Sequence, residues 1–447
     1  MPRTLLFIIV FIEGFCSLGA EVIALRQIIP HMGSSIVVTA PTIGFFLLAL
    51  ALGYQSGAKV DGDYLAVVAR NFLIAAALTG AGLAGISVDL IFGAVNPPTL
   101  AYLVFIAAVL CPLAWLMGQT VPILTNLMQH ERTGEASGYA LYYSTLGSFL
   151  GSISLSLLIM QWLGVSAAVV ICALLLLAGH ALLSARHRRT AIASLAVILL
   201  SLACNIWRGP VIETAYANYA IIPVALEGAI NARAFKSNNS IASLIDESEP
   251  PVYARYIRHI RSILLEGLAF RERQILVLGA GGFTLSHREP SNHYTYVDID
   301  PAIRGIAEKN FLGEPALGDF IVDDARRFVV RSEQRFAAAI VDVYSSHNSI
   351  PGHLVTREFW QSTRRVLEPE GVMIANLILD GRLATPYARN LLATIESVYG
   401  RCAIEVLHKN QPLSNVVVTC YNSNQPQETG LYIDERNRAD FDLARSR

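Results

Sequence analysis

The sequence predicts a multi-pass α-helical membrane domain, followed by a small β domain and an α/β domain with a mostly parallel sheet. Of the 447 residues, 53% are hydrophobic and only 15% are charged, whereas soluble domains carry roughly 25% charged residues. Residues 1–207 hold about fifteen charged side chains, and the remainder holds more than fifty. The first half therefore suits lipid and the second half suits water. In the second half, strand-like runs alternate with helix-like runs, which is typical of a parallel sheet covered by helices.

Seven apolar stretches in the first half are long enough to cross a hydrocarbon core of roughly 30 Å. They are residues 4–30, 35–58, 64–93, 99–127, 137–163, 165–184 and 190–207. We therefore expect residues 1–207 to form a transmembrane domain of about seven helices in the cell (inner) membrane. Small residues should let the helix backbones approach closely, and the candidates are Gly44, Gly53, Gly57, Gly147 and Gly151.

Several polar side chains fall at membrane depth, where a charge costs several kcal/mol unless it is paired or hydrated. They are Glu13, Glu21, Arg26, Gln55, Gln119 and Asn126. Two interpretations remain open. These groups either form an internal structural ion pair, with Arg26 reaching toward the interface, or they line a polar cavity for a substrate.

The loop charges predict the orientation of the helices. Basic residues follow spans 2, 4 and 6, whereas the loops after spans 1, 3 and 5 have no Lys or Arg. The positive-inside rule places the N-terminus and the basic loops in the cytoplasm, and seven full crossings would put residues 208–447 outside. We nevertheless expect a cytoplasmic C-terminal half, with residues 190–207 lying on or re-entering the membrane. The alternative is an extracytoplasmic half, which would suit Cys402 and Cys420 because they could pair across two strand-like runs.

The soluble half divides into two predicted domains. Residues 208–268 contain short alternating runs and then a helix from about 251 to 268, which predicts a small β domain with a linking helix. Residues 269–447 carry strands near 274–278, 294–297, 320–322, 336–341 and 372–378, with helices near 301–310 and 356–367 between them. This alternation predicts a Rossmann-like domain that serves as the catalytic domain.

Four successive strands of that domain end in residues suited to an adenosine-bearing ligand. They are Gly279, Gly281 and Gly282 after the first strand, and Asp298, Asp323, Asp324 and Asp342 after the next three. Ligands of such sheets bind beyond the carboxyl ends of the strands, where the strand order reverses. The glycines permit a tight turn and a close approach of the ligand. Asp298 has the spacing of an acid that takes ribose hydroxyls, and Asp323 or Asp324 is placed to accept from an adenine amino group.

The glycine turn lacks the third glycine of a dinucleotide-binding motif, and this bears on which nucleotide binds. Thr284 stands where a dinucleotide motif would have its third glycine. Together with the acids, this favours an adenosyl sulfonium, S-adenosylmethionine or its decarboxylated form, as co-substrate. Asp342 would then face the reacting end as a general base or counter-charge, although helix capping or loop hydrogen bonding is an alternative role. The scattered histidines lack ligand spacing, so we expect no metal.

The chain resembles the membrane-fused form of the polyamine aminopropyltransferases, or spermidine synthases, along nearly its whole length. In the membrane half the resemblance lies in Glu21-Val-Ile-Ala-Leu-Arg26, Gly118-Gln-Thr-Val-Pro122 and Leu146-Gly-Ser-Phe-Leu-Gly151. In the soluble half it lies in Tyr219, Leu276-Val-Leu-Gly-Ala-Gly-Gly282, Val297-Asp-Ile-Asp-Pro301, Asp324-Ala325, Asp342 and Ile350-Pro-Gly-His-Leu-Val-Thr-Arg-Glu-Phe359.

The resemblance implies a spermidine synthase-like fold, related to the S-adenosylmethionine methyltransferases, and a chain that forms homodimers. It also implies roles for single residues: Asp298 for the ribose, Asp324 for the adenine and Asp342 as the base that deprotonates the attacking amine. The acceptor would lie against Tyr219, Tyr344 and Ser345.

Three positions depart from the family pattern. Gly282 replaces an Asp that contacts the amino group of the donor's transferred arm, Ala220 replaces a Gln, and Ser345 replaces a second acid near the catalytic Asp. These replacements remove polar contacts from both the donor arm and the amine acceptor. An acceptor with several amines would therefore lose carboxylates that it needs.

Three functions fit these observations. The first is transfer of an aminopropyl group onto a small-molecule amine or a membrane-resident acceptor. The second is a methyltransferase or lyase that uses S-adenosylmethionine on a substrate in the bilayer. The third is a non-enzymatic transporter or sensor with a nucleoside-binding domain. The net charge of -1 argues against a nucleic-acid partner, because binding phosphates requires a basic surface.

Overall fold

The computed structural model describes residues 3–33, 35–127, 133–184, 188–206, 211–225, 229–344, 350–409, 411–423, 432–435, 437 and 439–446. The chain divides into two compact units. The helical unit comprises residues 1–32, 38–209 and 213–215, and the soluble unit comprises residues 33–37, 210–212 and 216–447.

Within the described residues, seven helices of the helical unit are long and apolar enough to cross a membrane, as the sequence predicts. Spans 1 to 7 are Arg3–Met32, Ile36–Gly57, Tyr64–Gly82, Pro98–Asn126, Gly134–Leu163, Val165–Leu183 and Arg189–Ile206. A shorter apolar helix, Gly85–Ala94, follows the third span.

Glycines bring several of these helices into backbone contact. A Cβ atom on Gly147 would stand only 2.2 Å from the carbonyl oxygen of Phe11, so spans 1 and 5 touch where no side chain fits. The prediction of close approach is confirmed for this glycine and for Gly53, Gly57 and Gly151. It is wrong for Gly44, where a Cβ atom would have nothing within 4 Å, because this glycine lies on an open face of its helix.

Two of the polar groups at membrane depth bond to neighbouring helices. Glu13 Oε2 accepts a hydrogen bond from Ser144 Oγ at 2.8 Å, and Gln119 Oε1 accepts one from Asn71 Nδ2 at 2.8 Å. Gln55 is exposed. Glu13 and Gln119 thus take hydrogen bonds from Ser144 and Asn71 rather than forming an ion pair, and these bonds join neighbouring helices.

The soluble unit begins with a small sheet in the strand order β1-β2-β3-β4. These strands are Val211–Glu213, Asn218–Pro223, Arg233–Ser237 and Ser240–Ile245. The helix Arg255–Ser262 follows and continues as one π-helical turn, Ile263–Gly267. Its apolar side, with Tyr256, Ile257 and Ile260, is buried.

A seven-stranded sheet with the order β10-β11-β9-β8-β5-β6-β7 forms the centre of the soluble unit. Strands β5 to β11 are Gln274–Leu278, His293–Asp298, Asp319–Val322, Phe336–Val341, Leu367–Leu379, Ala403–Val406 and Ser414–Tyr421. Strands β5 to β9 pair in parallel, and β10 and β11 complete one side in antiparallel pairing. The chain passes outward from β5 to β6 and β7 and then returns to β8 on the other side of β5. The strand order therefore reverses between β5 and β8.

The α/β prediction is confirmed, and the five predicted strands of residues 274–378 are all present. The soluble unit also contains the helices Ile303–Ile306, Ala325–Arg331, Arg357–Arg365, Pro386–Tyr399 and Ala439–Arg445, the π-helical segment Ala307–Leu312 and the 3-10 turn Gly352–Leu354. Three of these helices, Ala325–Arg331, Pro386–Tyr399 and Ala439–Arg445, are additions to the prediction. The first has only seven residues, which is too short for a clear periodic pattern.

Candidate active site

The reversal of strand order brings Gly279 and Asp342 together. Leu278 at the end of β5 pairs with Val341 at the end of β8, and the next residue of each strand lies at the same edge. Gly279 has a φ of 90°, and a Cβ atom there would stand 2.1 Å from the carbonyl oxygen of Asp342. Only glycine fits this position, because both the backbone conformation and the close contact exclude a side chain.

The rest of the glycine turn lies against the small sheet. Gly282 N donates to Ser243 Oγ of β4 at 2.9 Å, and Gly281 has a φ of 50°. A Cβ atom on Gly282 would stand 2.5 Å from the ring of Phe311 and 2.8 Å from Ser243 Cβ. A side chain at position 282, where the family pattern has an Asp, would therefore clash with these neighbours.

Asp298, at the end of β6, contacts the glycine turn directly. Its Oδ2 atom accepts a hydrogen bond from Ala280 N at 2.9 Å, and its Oδ1 atom accepts one from Asp300 N at 3.0 Å. Burial raises the pKa of Asp298, while these backbone hydrogen bonds oppose the shift. The carboxyl group thus stands beside the turn, where a ribose would need an acceptor.

Asp323 and Asp324 follow β7 at the same edge of the sheet. Asp324 caps the helix Ala325–Arg331 by accepting from Arg327 N at 2.9 Å, and His353 Nε2 lies 3.1 Å from its other oxygen. Asp323 forms an ion pair with the Arg327 side chain. Burial acts to raise the pKa of Asp324, but the hydrogen bonds from Arg327 and His353 outweigh it and lower that pKa. Asp324 is therefore an ionised acceptor.

The Asp342 carboxyl group lies beside two polar side chains. Asn376 Nδ2 donates to Asp342 Oδ1 at 2.8 Å, because β8 and β9 pair Val341 with Ala375 and so align the following residues. The Tyr256 hydroxyl, from the helix Arg255–Ser262, donates its hydrogen to Ala242 O at 2.5 Å and acts to lower the pKa of Asp342. Burial outweighs the effects of Asn376 and Tyr256 and raises the pKa of Asp342 to about 6. A carboxyl group with that pKa is suited to exchange protons near neutral pH.

Tyr344, predicted to contact the acceptor, is hydrogen-bonded to β9. Its hydroxyl donates to Asn376 O at 2.7 Å and accepts from Ile378 N at 2.7 Å. This arrangement anchors the segment that follows Asp342, and the Tyr344 ring lies against the apolar core. Ser345, the other residue predicted there, lies outside the described residues.

Tyr219, the third predicted acceptor contact, lies on β2 and is buried. Its hydroxyl donates to Asp300 Oδ2 at 3.0 Å, and Asp300 in turn accepts from Ala302 N at 2.9 Å. Tyr219 thus links the small sheet to the segment after β6. Contact between Tyr219 and an acceptor stays a prediction.

Sequence reasoning missed Tyr256, Asn376 and Asn415. Asn376 is the only polar residue between Val372 and Leu379, and it is only 3% exposed. A lone amide in an apolar strand is a usable signal, because buried polar groups need partners. Tyr256 carried no such signal, since an aromatic residue on the apolar side of a helix is ordinary.

Together, the strand ends place the carboxyl groups of Asp298 and Asp342 against the glycine turn, with Asp324 after the neighbouring strand β7. Within the described part of the chain, no group of three or more His, Cys, Asp or Glu side chains is arranged to hold a metal ion.

The chain is similar to several known proteins. The polyamine aminopropyltransferase of Vibrio vulnificus is 29% identical over 195 residues, which cover 41% of this chain and 56% of that protein. Polyamine aminopropyltransferase 1 of Streptomyces coelicolor is 25% identical over 417 residues, covering 83% of this chain and 75% of that protein. A probable spermidine synthase from Corynebacterium glutamicum is 20% identical, with a TM-score of 0.40, and the alignment covers 47% of this chain and 79% of that structure.

No family model matches the chain. The Streptomyces match includes most of the helical unit as well as the soluble unit, since it covers 83% of the chain. The predicted resemblance is confirmed: the chain is similar to proteins named polyamine aminopropyltransferases.

Proposed function

We propose that the soluble unit transfers an aminopropyl group from decarboxylated S-adenosylmethionine to an amine, with Asp342 as the base. The observation that carries the proposal is the position of Asp342. Its backbone abuts the glycine turn at the strand reversal, and its buried carboxyl group has a pKa of about 6. The homology to proteins named polyamine aminopropyltransferases supports the same reaction.

The transfer step balances without any further reactant. The amine nitrogen attacks the carbon next to the sulfonium, a C–N bond forms, and the C–S bond breaks with its electrons moving to sulfur. Neutral methylthioadenosine leaves. Asp342 accepts the proton that the attacking ammonium group must lose, because a protonated amine has no free electron pair. Holding the amine and the sulfonium in line supplies much of the remaining rate.

Asp298 and Asp324 would hold the nucleoside through the ribose and the adenine amino group. Tyr219, Tyr344 and Ser345 are the proposed acceptor contacts. The acceptor is a small amine or an amine resident in the membrane, and the protein works as a homodimer. Methyl transfer from intact S-adenosylmethionine is a second candidate. Gly282 packs against Phe311 and has no carboxylate that could bind the amino group of a transferred aminopropyl arm.

The seven apolar helices support a multi-pass location in the cell (inner) membrane. By length and hydropathy they satisfy the requirement for crossing a bilayer. The lipid bilayer is thus the partner of the helical unit.

The proposal is tested by the nucleoside product. Full-length protein in detergent is incubated with an amine mixture and either decarboxylated or intact S-adenosylmethionine, and the products are identified by mass. Methylthioadenosine together with a mass gain of one aminopropyl group on an amine is expected. S-adenosylhomocysteine would instead establish methyl transfer, and neither nucleoside would overturn both.

The matched variants for this assay are Asp342→Asn and Asp319→Asn. Both remove one carboxylate next to a strand of the same sheet, but Asp319 is exposed at the opposite end of β7. Turnover should disappear in the first variant and persist in the second. Equal turnover in both would exclude Asp342 as the base.

A further inference from the structure

A chain of two amides leads away from Asp342 into the sheet. Asn376 Nδ2 donates to Asp342 Oδ1 at 2.8 Å, and Asn415 Nδ2 donates to Asn376 Oδ1 at 2.9 Å. Asn376 is 3% exposed and lies on β9, whereas Asn415 lies at the start of the neighbouring strand β11.

The direction of these hydrogen bonds follows from the chemistry of Asp342. An ionised carboxylate only accepts hydrogen bonds, so Asn376 must turn its NH2 group toward Asp342. Its oxygen then faces Asn415, which must present its own NH2 group. A donor in the second amide therefore fixes the orientation of the first.

We infer that Asn376 and Asn415 are positioning residues for the reaction. Asn415 orients the Asn376 amide, which in turn donates to the Asp342 carboxylate and keeps it ionised. This inference rests on the proposed role of Asp342 as base. Among the described residues, the titratable groups that face Asp342 are the hydroxyls of Tyr256, from the helix Arg255–Ser262, and of Tyr344, from its own segment. Burial raises the pKa of both. Both hydroxyls therefore stay neutral across the pH range in which Asp342 titrates.

The test is the nearly isosteric change Asn415→Asp. A carboxylate at 415 accepts rather than donates, so the Asn376 amide turns over and presents its oxygen to Asp342, which favours the protonated acid. The acid-side midpoint of kcat/KM should rise by about one pH unit. Asn310→Asp, the same charge change at an exposed position, should leave the midpoint unchanged. In an Asn376→Leu background the effect of Asn415→Asp should shrink, because the intervening amide is gone.

A second measurement does not depend on turnover. The infrared carbonyl band of protonated Asp342, identified by its loss in Asp342→Asn, is titrated with pH in the same variants. An upward shift of the Asp342 titration midpoint in Asn415→Asp but not in Asn310→Asp supports the positioning role of Asn415, and equal midpoints overturn it. If wild-type protein shows no aminopropyl transfer, the proposed function fails, while the infrared titration still tests whether Asn415 acts on Asp342.

A second, independent inference concerns the side of the membrane. The end of span 7 lies at the face of the helical unit where span 1 ends and span 6 begins. Arg26, near the end of span 1, donates to Thr214 O at 3.1 Å. Val165 N, at the start of span 6, donates to Glu213 Oε2 at 2.6 Å. Residues 213–214 follow span 7, so this helix crosses the whole bundle instead of re-entering the membrane.

A contact deeper in the bundle agrees with a full crossing. Asn205 Nδ2, near the end of span 7, donates to Gly80 O near the end of span 3 at 2.7 Å. Spans 3 and 7 therefore end on the same face. That face carries the loops after spans 1, 3 and 5, which have no Lys or Arg, whereas the basic loops lie on the opposite face. By the positive-inside rule, span 7 ends outside the cytoplasm.

Both cysteines of the soluble half form one disulfide, Cys402–Cys420. Cys402 comes just before β10 and Cys420 lies on β11, each next to one of the paired residues Ala403 and Thr419. Disulfides persist in oxidising compartments outside the cytoplasm. The four remaining cysteines, all in the helical unit, are free thiols.

We propose that residues 216–447 are extracytoplasmic, the alternative to the cytoplasmic location expected from the sequence. The reaction then draws its amine and its donor from the outer side of the membrane. A transport step must supply any co-substrate that is made in the cytoplasm.

Reporter fusions to the full chain test this topology. Alkaline phosphatase joined after residue 447 should be active and a green fluorescent protein there should be dark, with the reverse result after residue 185 in a basic loop. A fluorescent, phosphatase-inactive fusion at residue 447 would overturn the proposal. Alkylation of acid-quenched, denatured cells should add four maleimides before reduction and six after it, because four cysteines are free and two are paired. Six adducts without reductant would contradict an oxidising location.

Discussion

The pH dependence of turnover tests the role of Asp342 in detail. Burial places the pKa of this carboxyl group at about 6, so roughly 90% of it is ionised at pH 7 and roughly 10% at pH 5. If the ionised form is the base, kcat/KM for the amine should fall about tenfold between these two values. The acceptor amine does not obscure this limb, because amines titrate near pH 10, well above the range.

The sign of the effect is fixed by the direction of the shift. The folded protein holds Asp342 protonated at pH values where an ordinary Asp is ionised, so activity is lost on the acid side and retained above pH 7. In the assay, initial rates are measured from pH 4.5 to 8 while tryptophan fluorescence confirms that the protein stays folded. Asp342→Asn should lose roughly 10²–10⁴-fold in kcat and show no residual limb near pH 6. A constant kcat/KM between pH 7 and pH 5, or the same fall in the Asp342→Asn variant, would show that Asp342 is not the base.

Three further predictions address the nucleoside site and the helical unit. Asp324→Asn should keep its helix cap but lose the ionised acceptor that contacts His353. The Kd for methylthioadenosine measured by calorimetry should therefore rise about tenfold, while thermal stability is unchanged. An unchanged Kd would exclude Asp324 from the adenine site. Asp298→Ala should weaken the same binding by roughly 1–3 kcal/mol through the lost hydrogen-bond partner, and unchanged titration heats would contradict contact with the ribose. Gly147→Ala should lower the free energy of unfolding in detergent by about 1–3 kcal/mol, because its Cβ atom would meet a backbone oxygen at 2.2 Å. The control, Gly44→Ala, should have no effect. Equal melting temperatures for the two variants would show that the close approach at Gly147 does not stabilise the bundle.

Much of the fold could be predicted because its signals are long or strongly periodic. Seven apolar stretches predict seven spans, and the strand–helix alternation predicts the parallel sheet with its glycine turn and acids at one edge. The error at Gly44 has a simple cause. Glycine spacing within one helix does not reveal which side of that helix meets a neighbour, and Gly44 points into open space.

The parts of the site that were not predicted depend on pairing between strands. Asn376 reaches Asp342 only because β8 and β9 align Val341 with Ala375, and Asn415 reaches Asn376 only through the neighbouring strand β11. Tyr256 comes from a helix that precedes the sheet in the chain. Such contacts are set by register and packing, which local sequence patterns do not contain.

An experimental structure of the full chain with methylthioadenosine bound tests the proposed site most directly. We expect the ribose hydroxyls against Asp298, the adenine amino group against Asp324 and the sulfur facing Asp342 across the turn at Gly279. A nucleoside bound away from these strand ends, or one whose sulfur points away from Asp342, would contradict it.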